Sequence, residues 1–212
     1  MRAVVFGGAD ISNYDFCGKY IKDSYIVCCD SGIRHAKKLG LKPDVIVGDF
    51  DSADSETIRF YEGMGVELKR FSCEKDETDM ELGIDAAVKA GADEIVIMGG
   101  IGTRLDHTMA NCILLYYIKK HGVNNAAIVN EYNEIRLVCD SIEIYGKKGD
   151  IISLIPMTYE VCGVTTEGLK YPLNDGRLYF GSNLVAVSNV MLGEKAVVKI
   201  KSGLLYVMRC RD

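Results

Sequence analysis

The chain has 212 residues, of which 48% are hydrophobic and 26% charged, enough apolar material for one compact unit or two small domains with a real core. Its 25 Lys and Arg against 30 Asp and Glu leave a net charge of −5, which argues against a surface built to coat nucleic acid. No stretch approaches the roughly 18–20 consecutive apolar residues of a membrane-spanning helix, and Met1–Gly8, with one Arg and a very short apolar run, does not read as a signal peptide.

In chain order, short β-branched runs at 3–6, 25–29, 44–47, 66–71, 94–98 and 126–129 alternate with stretches of helical spacing at 14–21, 33–39, 55–64, 79–90 and 108–119. Within 79–90, Met80, Leu82, Ile84, Ala87 and Val88 make a broad apolar stripe. Strand and helix in this rhythm predict an open, mostly parallel sheet flanked by helices over residues 1–130. After about Asn130 the rhythm changes. Runs at 135–138, 142–145, 151–154, 161–166, 178–180, 184–187, 196–200 and 204–208 are separated by Gly and Asn turns, which predicts an antiparallel β-sandwich or barrel over 131–212. The fold class is thus α/β plus all-β. The eight cysteines contain no Cys-x-x-Cys pair and mostly sit in apolar runs, as in Val27-Cys28-Cys29, so they read as reduced, buried thiols of a cytoplasmic protein.

Ligands of an open α/β sheet bind outside the carboxyl ends of its strands. The residues just after the predicted strands are therefore informative. They are Asp30-Ser31-Gly32, Asp49-Phe50-Asp51, Lys75-Asp76-Glu77-Thr78-Asp79 and Gly99-Gly100-Ile101-Gly102-Thr103-Arg104-Leu105-Asp106-His107. In extended chain Asp49 and Asp51 point the same way, and carboxylates that crowd together repel unless a cation lies among them. Such hard oxygen donors suit Mg²⁺. Each Asp is equally a good turn or cap residue. Thr78 with Glu81 forms a capping box, and Asp79 then starts a helix, where a negative charge is favoured whether or not it also binds metal.

The glycines at 99–102 let backbone N–H groups approach a phosphate, although tight packing explains small residues as well. Arg104 matches a phosphate fork or pairs with Asp106. His107 is either a hydrogen-bonded helix-start residue or a base. A polyanionic substrate meeting an acidic edge requires a metal bridge, so these residues point to a Mg²⁺-dependent nucleotide or phosphoryl site without a Walker loop.

At these residues the chain resembles the thiamin pyrophosphokinase (thiamin diphosphokinase) family. Pro43-Asp44-Val45-Ile46-Val47-Gly48-Asp49-Phe50-Asp51-Ser52 is close to the family's Pro-Asp-(apolar)-Gly-Asp-Phe-Asp-Ser signature. Asp30-Ser31-Gly32 resembles its Asp-Gly-Gly segment with Ser31 departing. Asp76-Glu77-Thr78-Asp79-Met80-Glu81, Arg104-Leu105-Asp106-His107 with Ala110-Asn111, Gly168-Leu169-Lys170-Tyr171 and Ser188-Asn189 resemble further elements in family order.

The resemblance implies transfer of the diphosphoryl group of ATP to the hydroxyl of thiamin, giving thiamin diphosphate and AMP, in a homodimer with active sites at the subunit interface. It implies a catalytic set of Asp30, Asp49, Asp51 and Asp79, with Asp49, Asp51 and Asp79 on Mg²⁺. It places Lys75, Thr78, Gly100, Arg104, Asp106 and His107 by ATP, and Thr165, Tyr171, Ser188 and Asn189 by thiamin. Residues 1–130 would then be the ATP and Mg²⁺ domain, and 131–212 the thiamin-binding and dimerisation domain. Tyr171 could offer its ring face to the cationic thiazolium, or be a half-buried strand aromatic; Ser188 and Asn189 could equally form a turn. A pyrophosphokinase acting on another alcohol, such as a hydroxymethylpterin, and a non-catalytic nucleotide-binding module are the rival readings.

Overall fold

The computed structural model describes residues 1–51, 53–72, 76–181 and 186–211. Ser52, Lys75 and part of the expected 184–187 strand lie outside the described residues. The chain divides into two compact units, Met1–Glu131 and Tyr132–Asp212.

The first unit contains β1 (Arg2–Phe6), α1 (Gly18–Ile21), β2 (Tyr25–Cys29), α2 (Ile33–Leu39), β3 (Val45–Gly48), α3 (Ser55–Gly63), β4 (Glu67–Arg70), α4 (Asp79–Lys89), β5 (Glu94–Met98), α5 (Leu105–Lys120) and β6 (Asn125–Val129). Its strands lie in the order β6-β5-β1-β2-β3-β4, and all the pairs are parallel. Val4, Phe6, Ile26, Cys28 and Ile46 share a core with Tyr20, Ala36, Ile58 and Tyr61 from α1, α2 and α3. Val5, Val27 and Cys29, which alternate with them, meet α4: a Cβ on Gly83 would strike Cys29 Sγ and lie 3.3 Å from Val5 Cγ1. With both faces covered, β1, β2, β3 and β5 are largely continuous apolar runs, whereas the edge strand β4, Glu-Leu-Lys-Arg, is only partly buried.

Two helices differ from expectation. The 14–21 segment is a 3₁₀ turn, Asp15–Cys17, followed by only one helical turn, Gly18–Ile21, which ends where Lys22 turns extended at ψ 128°. The last helix begins at Leu105, three residues earlier than its apolar spacing suggests.

The second unit holds β7 (Asn133–Val138), β8 (Ser141–Tyr145), β9 (Ile151–Pro156), β10 (Glu160–Glu167), β11 (Gly176–Tyr179), β12 (Ala186–Val190), β13 (Lys195–Lys199) and β14 (Leu205–Cys210). They form two antiparallel four-stranded layers, β12-β9-β14-β7 and β11-β10-β13-β8. Ile152, Leu154, Leu205 and Val207 of one layer share a core with Val161, Val164, Leu178, Ala196 and Val198 of the other, which is a sandwich. The seven described cysteines are free thiols; Cys17, Cys28 and Cys29 are buried and the other four half-buried. No helix among the described residues is long and apolar enough to cross a membrane.

Candidate active site

In the parallel sheet the chain runs outward from β1 to β4 on one side, then returns to place β5 on the other. The crevice where strand order reverses lies outside the carboxyl ends of β1 and β5, the favoured ligand position in this fold. Gly7, Gly8 and Ala9 follow β1 there; Gly99 to Gly102 follow β5. The two loops are laced together by Gly7 N–H donating to Met98 O (2.8 Å) and Ala9 N–H donating to Gly99 O (2.9 Å).

Side chains are excluded from this contact. A Cβ on Gly99 would strike Gly7 O, and one on Gly102 would lie 2.7 Å from Ala9 Cβ. Gly99 also sits at φ +62°, where glycine is favoured. Close packing therefore accounts for Gly99, Gly100 and Gly102, against backbone at Gly99 and against the side chains of Ile97 and Ala9 at Gly100 and Gly102, and it leaves a rim of main chain at the crevice. Asn111 of α5, buried, donates from Nδ2 to Gly100 O at 2.8 Å, and Thr108 Oγ1 accepts from Gly102 N–H at 3.1 Å.

The carboxylates line the same sheet edge. Asp30 directly follows β2, at φ +44°. Gly48, which ends β3, lies so close that its Cβ would be 3.2 Å from the N, Cα and Cβ atoms of Asp30. Asp49 and Asp51 follow, but not as extended chain. Phe50 adopts φ +64° and Asp51 N–H donates to Asp49 Oδ1 at 3.0 Å, so the segment is a tight turn. Phe50 lies under the Arg70 guanidinium, 4.8 Å from ring centre to Cζ.

Thr78 caps α4, its hydroxyl accepting from Glu81 N–H at 3.2 Å, and Asp79 is the first helical residue. The next residue, Met80, packs its methyl on Gly7. Among the described residues no three His, Cys, Asp or Glu side chains are gathered closely enough to hold a metal ion. Asp49, Asp51 and Asp79 therefore share an edge without forming a closed cage.

Arg104 and Asp106 pair with each other, Arg104 Nη2 donating to Asp106 Oδ2 at 2.6 Å. That bond, with a backbone bond from His107, holds the Asp106 carboxyl down at about 2. Both side chains are exposed, as is His107, and Asp106 does not cap the helix: the cap position is Arg104, whose side chain makes no cap bond.

In the sandwich, Asn189 grips the backbone of Tyr171 at two points. Its Oδ1 accepts from Tyr171 N–H at 3.0 Å and its Nδ2 donates to Tyr171 O at 2.7 Å. Ser188 beside it sits at φ +59° in a bulge of β12, and its N–H donates to Ser153 Oγ at 3.1 Å. The Tyr171 ring stays 60% exposed with Lys170 Nζ 5.2 Å from its centre, so it is a presented aromatic face rather than a core residue. Thr165 Oγ1 accepts from Asp175 N–H at 3.2 Å, and Thr166 Oγ1 from Leu173 N–H at 2.8 Å, which ties the Tyr171 loop back to β10. The structure thus joins Tyr171 directly to Asn189, with Ser188 beside Asn189 in the chain and Thr165 at the root of the Tyr171 loop.

Sequence reasoning missed the Gly7–Asp10 loop and the side chains that hold it and its partner loop, Arg34, His35 and Thr108, and it named Asn111 only within the resemblance, without a role. The strand-end rule, applied to the first apolar run as it was to the later ones, finds Gly7 and Gly8.

A parallel α/β unit with an acidic carboxyl edge and a glycine-lined reversal crevice, followed by a β-sandwich presenting an aromatic loop, defines a two-part phosphoryl- or nucleotide-handling protein. Comparison with known proteins narrows that class. The description "Thiamin pyrophosphokinase, catalytic domain" matches residues 18–127, and "Thiamin pyrophosphokinase, vitamin B1 binding domain" matches 139–205. The chain belongs to the thiamin pyrophosphokinase family. It is 29% identical over 211 residues to the thiamine pyrophosphokinase of Bacillus subtilis (strain 168), covering 99% of this chain and 98% of that one. Solved structures of the thiamine pyrophosphokinase from Bacillus subtilis (TM-score 0.88, 28% identity, all of both chains) and of that from Geobacillus thermodenitrificans (TM-score 0.87, 27% identity, 100% and 98% covered) share the fold.

Proposed function

We propose that the protein is a thiamin diphosphokinase that uses ATP and Mg²⁺, transferring the diphosphoryl group to the thiamin hydroxyl and releasing AMP. The observation that carries this reading is the match of both family domains, in order, along nearly the whole chain. The α/β unit would take ATP through the Gly99–Gly102 rim with Gly100, the Thr78 helix start, Arg104, Asp106 and His107; Lys75 is assigned to the same group by resemblance alone. The sandwich would take thiamin through Tyr171, Thr165, Ser188 and Asn189. Arg104 leaves Asp106 for phosphate at little cost, since an exposed ion pair contributes little.

Asp49, Asp51 and Asp79 suit Mg²⁺ by donor chemistry. They are hard oxygens at one sheet edge, and Mg²⁺ takes only one or two carboxylates beside water and substrate phosphates, so a closed cage is not required. Bound Mg²⁺ supplies the positive charge that lets an acidic edge accept a polyphosphate. In the reaction the thiamin oxygen bonds to the β-phosphorus, the bond from that phosphorus to the bridging oxygen breaks, and AMP departs with that oxygen. The hydroxyl proton passes to a carboxylate of the set Asp30, Asp49, Asp51 and Asp79. Arg104 offsets charge on the transferring group, where most of the catalysis of phosphoryl transfer arises.

The protein is further proposed to be a cytoplasmic homodimer. Free cysteines support the location. Association is supported by α5, which exposes Leu105 (67%), Met109 (60%) and Ile113 (60%) at i, i+4 and i+8 along one face. The test of the activity is incubation with ATP, Mg²⁺ and thiamin, quantifying AMP and thiamin diphosphate, with Asp51→Asn in parallel. Equal amounts of both products, abolished by the substitution, are expected. ADP with thiamin monophosphate would refute diphosphoryl transfer. ATP binding without product would move the reading to another acceptor alcohol, and then to a regulatory module.

A further inference from the structure

Helix α2 carries a buried imidazole that the reaction does not use. His35 is 1% exposed, between the rings of Phe6 and Tyr14. Its Nε2 lies 2.9 Å from Ala9 O, which can only accept, so Nε2 carries the proton. Nδ1 is then a bare acceptor, and the Tyr14 hydroxyl donates to it at 2.7 Å. A single neutral tautomer satisfies both contacts.

The neighbouring Arg34 donates from Nη2 to Gly8 O (2.6 Å) and to Asp10 Oδ1 (2.8 Å). Three successive residues after β1 are thus held from α2, while the contact to the loop after β5 comes from Ala9 N–H on Gly99 O.

 The groups facing His35 and Tyr14 are Arg34 and Lys38 on α2, Asp10 on the loop, Cys17 on the 3₁₀ turn and Glu131 after β6. Asp10, the carboxylate that acts on His35, is already engaged by Arg34.

We propose that His35 is a positioning residue for nucleotide binding: as the Nε2–H tautomer, held by Tyr14, it fixes the Gly7–Asp10 loop as one wall of the crevice between β1 and β5, and its protonation loosens that wall. The inference rests on the reading that this crevice takes ATP. A proton on Nδ1 would turn the acceptor of the Tyr14 hydroxyl into a second donor and bury a positive charge beside Arg34. Burial, followed by the Arg34 charge, pushes the imidazole pKa below its usual value, against the opposing pull of the Ala9 and Gly7 carbonyls and Asp10.

The test is steady-state kinetics between about pH 5 and pH 8 on wild type, His35→Gln and His35→Leu, with kcat and the KM values for ATP and thiamin separated. Glutamine keeps a donor for Ala9 O and an acceptor for Tyr14 without titrating. His35→Leu is expected to raise the ATP KM by about tenfold at every pH, leaving kcat and the thiamin KM within about twofold, since losing the hydrogen bonds that hold one binding wall costs affinity on about this scale. Relative to His35→Gln, the wild-type ATP KM is expected to climb as pH falls through the imidazole pKa; ionisation of the nucleotide is common to both and cancels. Coincident pH profiles for wild type and His35→Gln, or a loss confined to kcat or to the thiamin KM, would overturn the proposal.

Nitrogen NMR of the imidazoles gives a readout that does not depend on turnover, and the chain has only three histidines. A neutral Nε2–H tautomer for His35 is expected; an Nδ1–H tautomer would overturn it. If wild type makes no AMP, the functional reading fails by itself, and ATP affinity by calorimetry carries the same comparison of variants across pH. Absence of ATP binding, or equal affinities throughout, would then overturn the role of His35.

Discussion

Replacing Gly99 by alanine tests the contact between the loops after β1 and β5. Gly99 sits at φ +62°, and an added Cβ would strike Gly7 O and lie 3.1 Å from Ala9 O and 3.2 Å from Gly7 C. Holding a non-glycine residue in this left-handed conformation costs about 1–2 kcal/mol. Forcing a methyl into packed backbone adds about 1–3 kcal/mol, so Gly99→Ala should destabilise the protein by roughly 2–5 kcal/mol. Gly40→Ala is the matched control. Gly40 has φ +65°, but its Cβ would meet nothing within 4 Å, so only the conformational cost applies. The gain from a stiffer unfolded chain is common to both variants and cancels. Urea unfolding at fixed temperature gives both values. The ATP KM should rise in Gly99→Ala and stay unchanged in Gly40→Ala. If the two variants unfold within about 0.5 kcal/mol of each other, the additivity limit for independent sites, the loops are not in the contact described and the crevice argument fails.

Asn189→Ala removes both bonds to the Tyr171 backbone. Water can replace them at this exposed loop, so the stability loss should stay near 1 kcal/mol, while the thiamin KM rises by about tenfold, a binding loss of similar size, and the ATP KM stays put; an unchanged thiamin KM would show that Asn189 does not place the ring for substrate. Ile113→Asp puts a charge in the middle of the exposed α5 stripe. It should convert a dimer to a monomer in sedimentation with a stability change within about 0.5 kcal/mol, as for other surface substitutions, and an unaltered mass would remove α5 from the interface.

Much of the architecture was readable along the chain because its signals are local. Continuous β-branched runs alternating with helical spacing reported a sheet covered on both faces, and the later switch to short strands with Gly and Asn turns reported the sandwich. The site carboxylates were also readable, since Asp30 and Asp49 directly follow their strands, and so was the Thr78 cap. The Asp49–Asp51 geometry was not. Spacing alone suggests extended chain, whereas Phe50 turns in the left-handed region and Asp49 accepts from the Asp51 backbone.

Sequence by itself determined the family, the two kinds of unit and most of the residues proposed for the site, because these depend on residue type and short-range order. Tertiary structure alone decided where the crevice lies and what holds it. That β5 pairs with β1 rather than extending the sheet beyond β4 is a non-local choice, and it makes Gly7 and Gly99 neighbours across more than ninety residues of chain. His35, which reads as one more residue of a short helix, acquires its tautomer and its partners only when Ala9 and Tyr14 are folded around it. Ser188 likewise takes its left-handed conformation in a bulge set by pairing with β9, which no signal within β12 specifies. Local patterning selects elements, but the close backbone approaches and buried hydrogen bonds that shape a site depend on which distant elements are brought together.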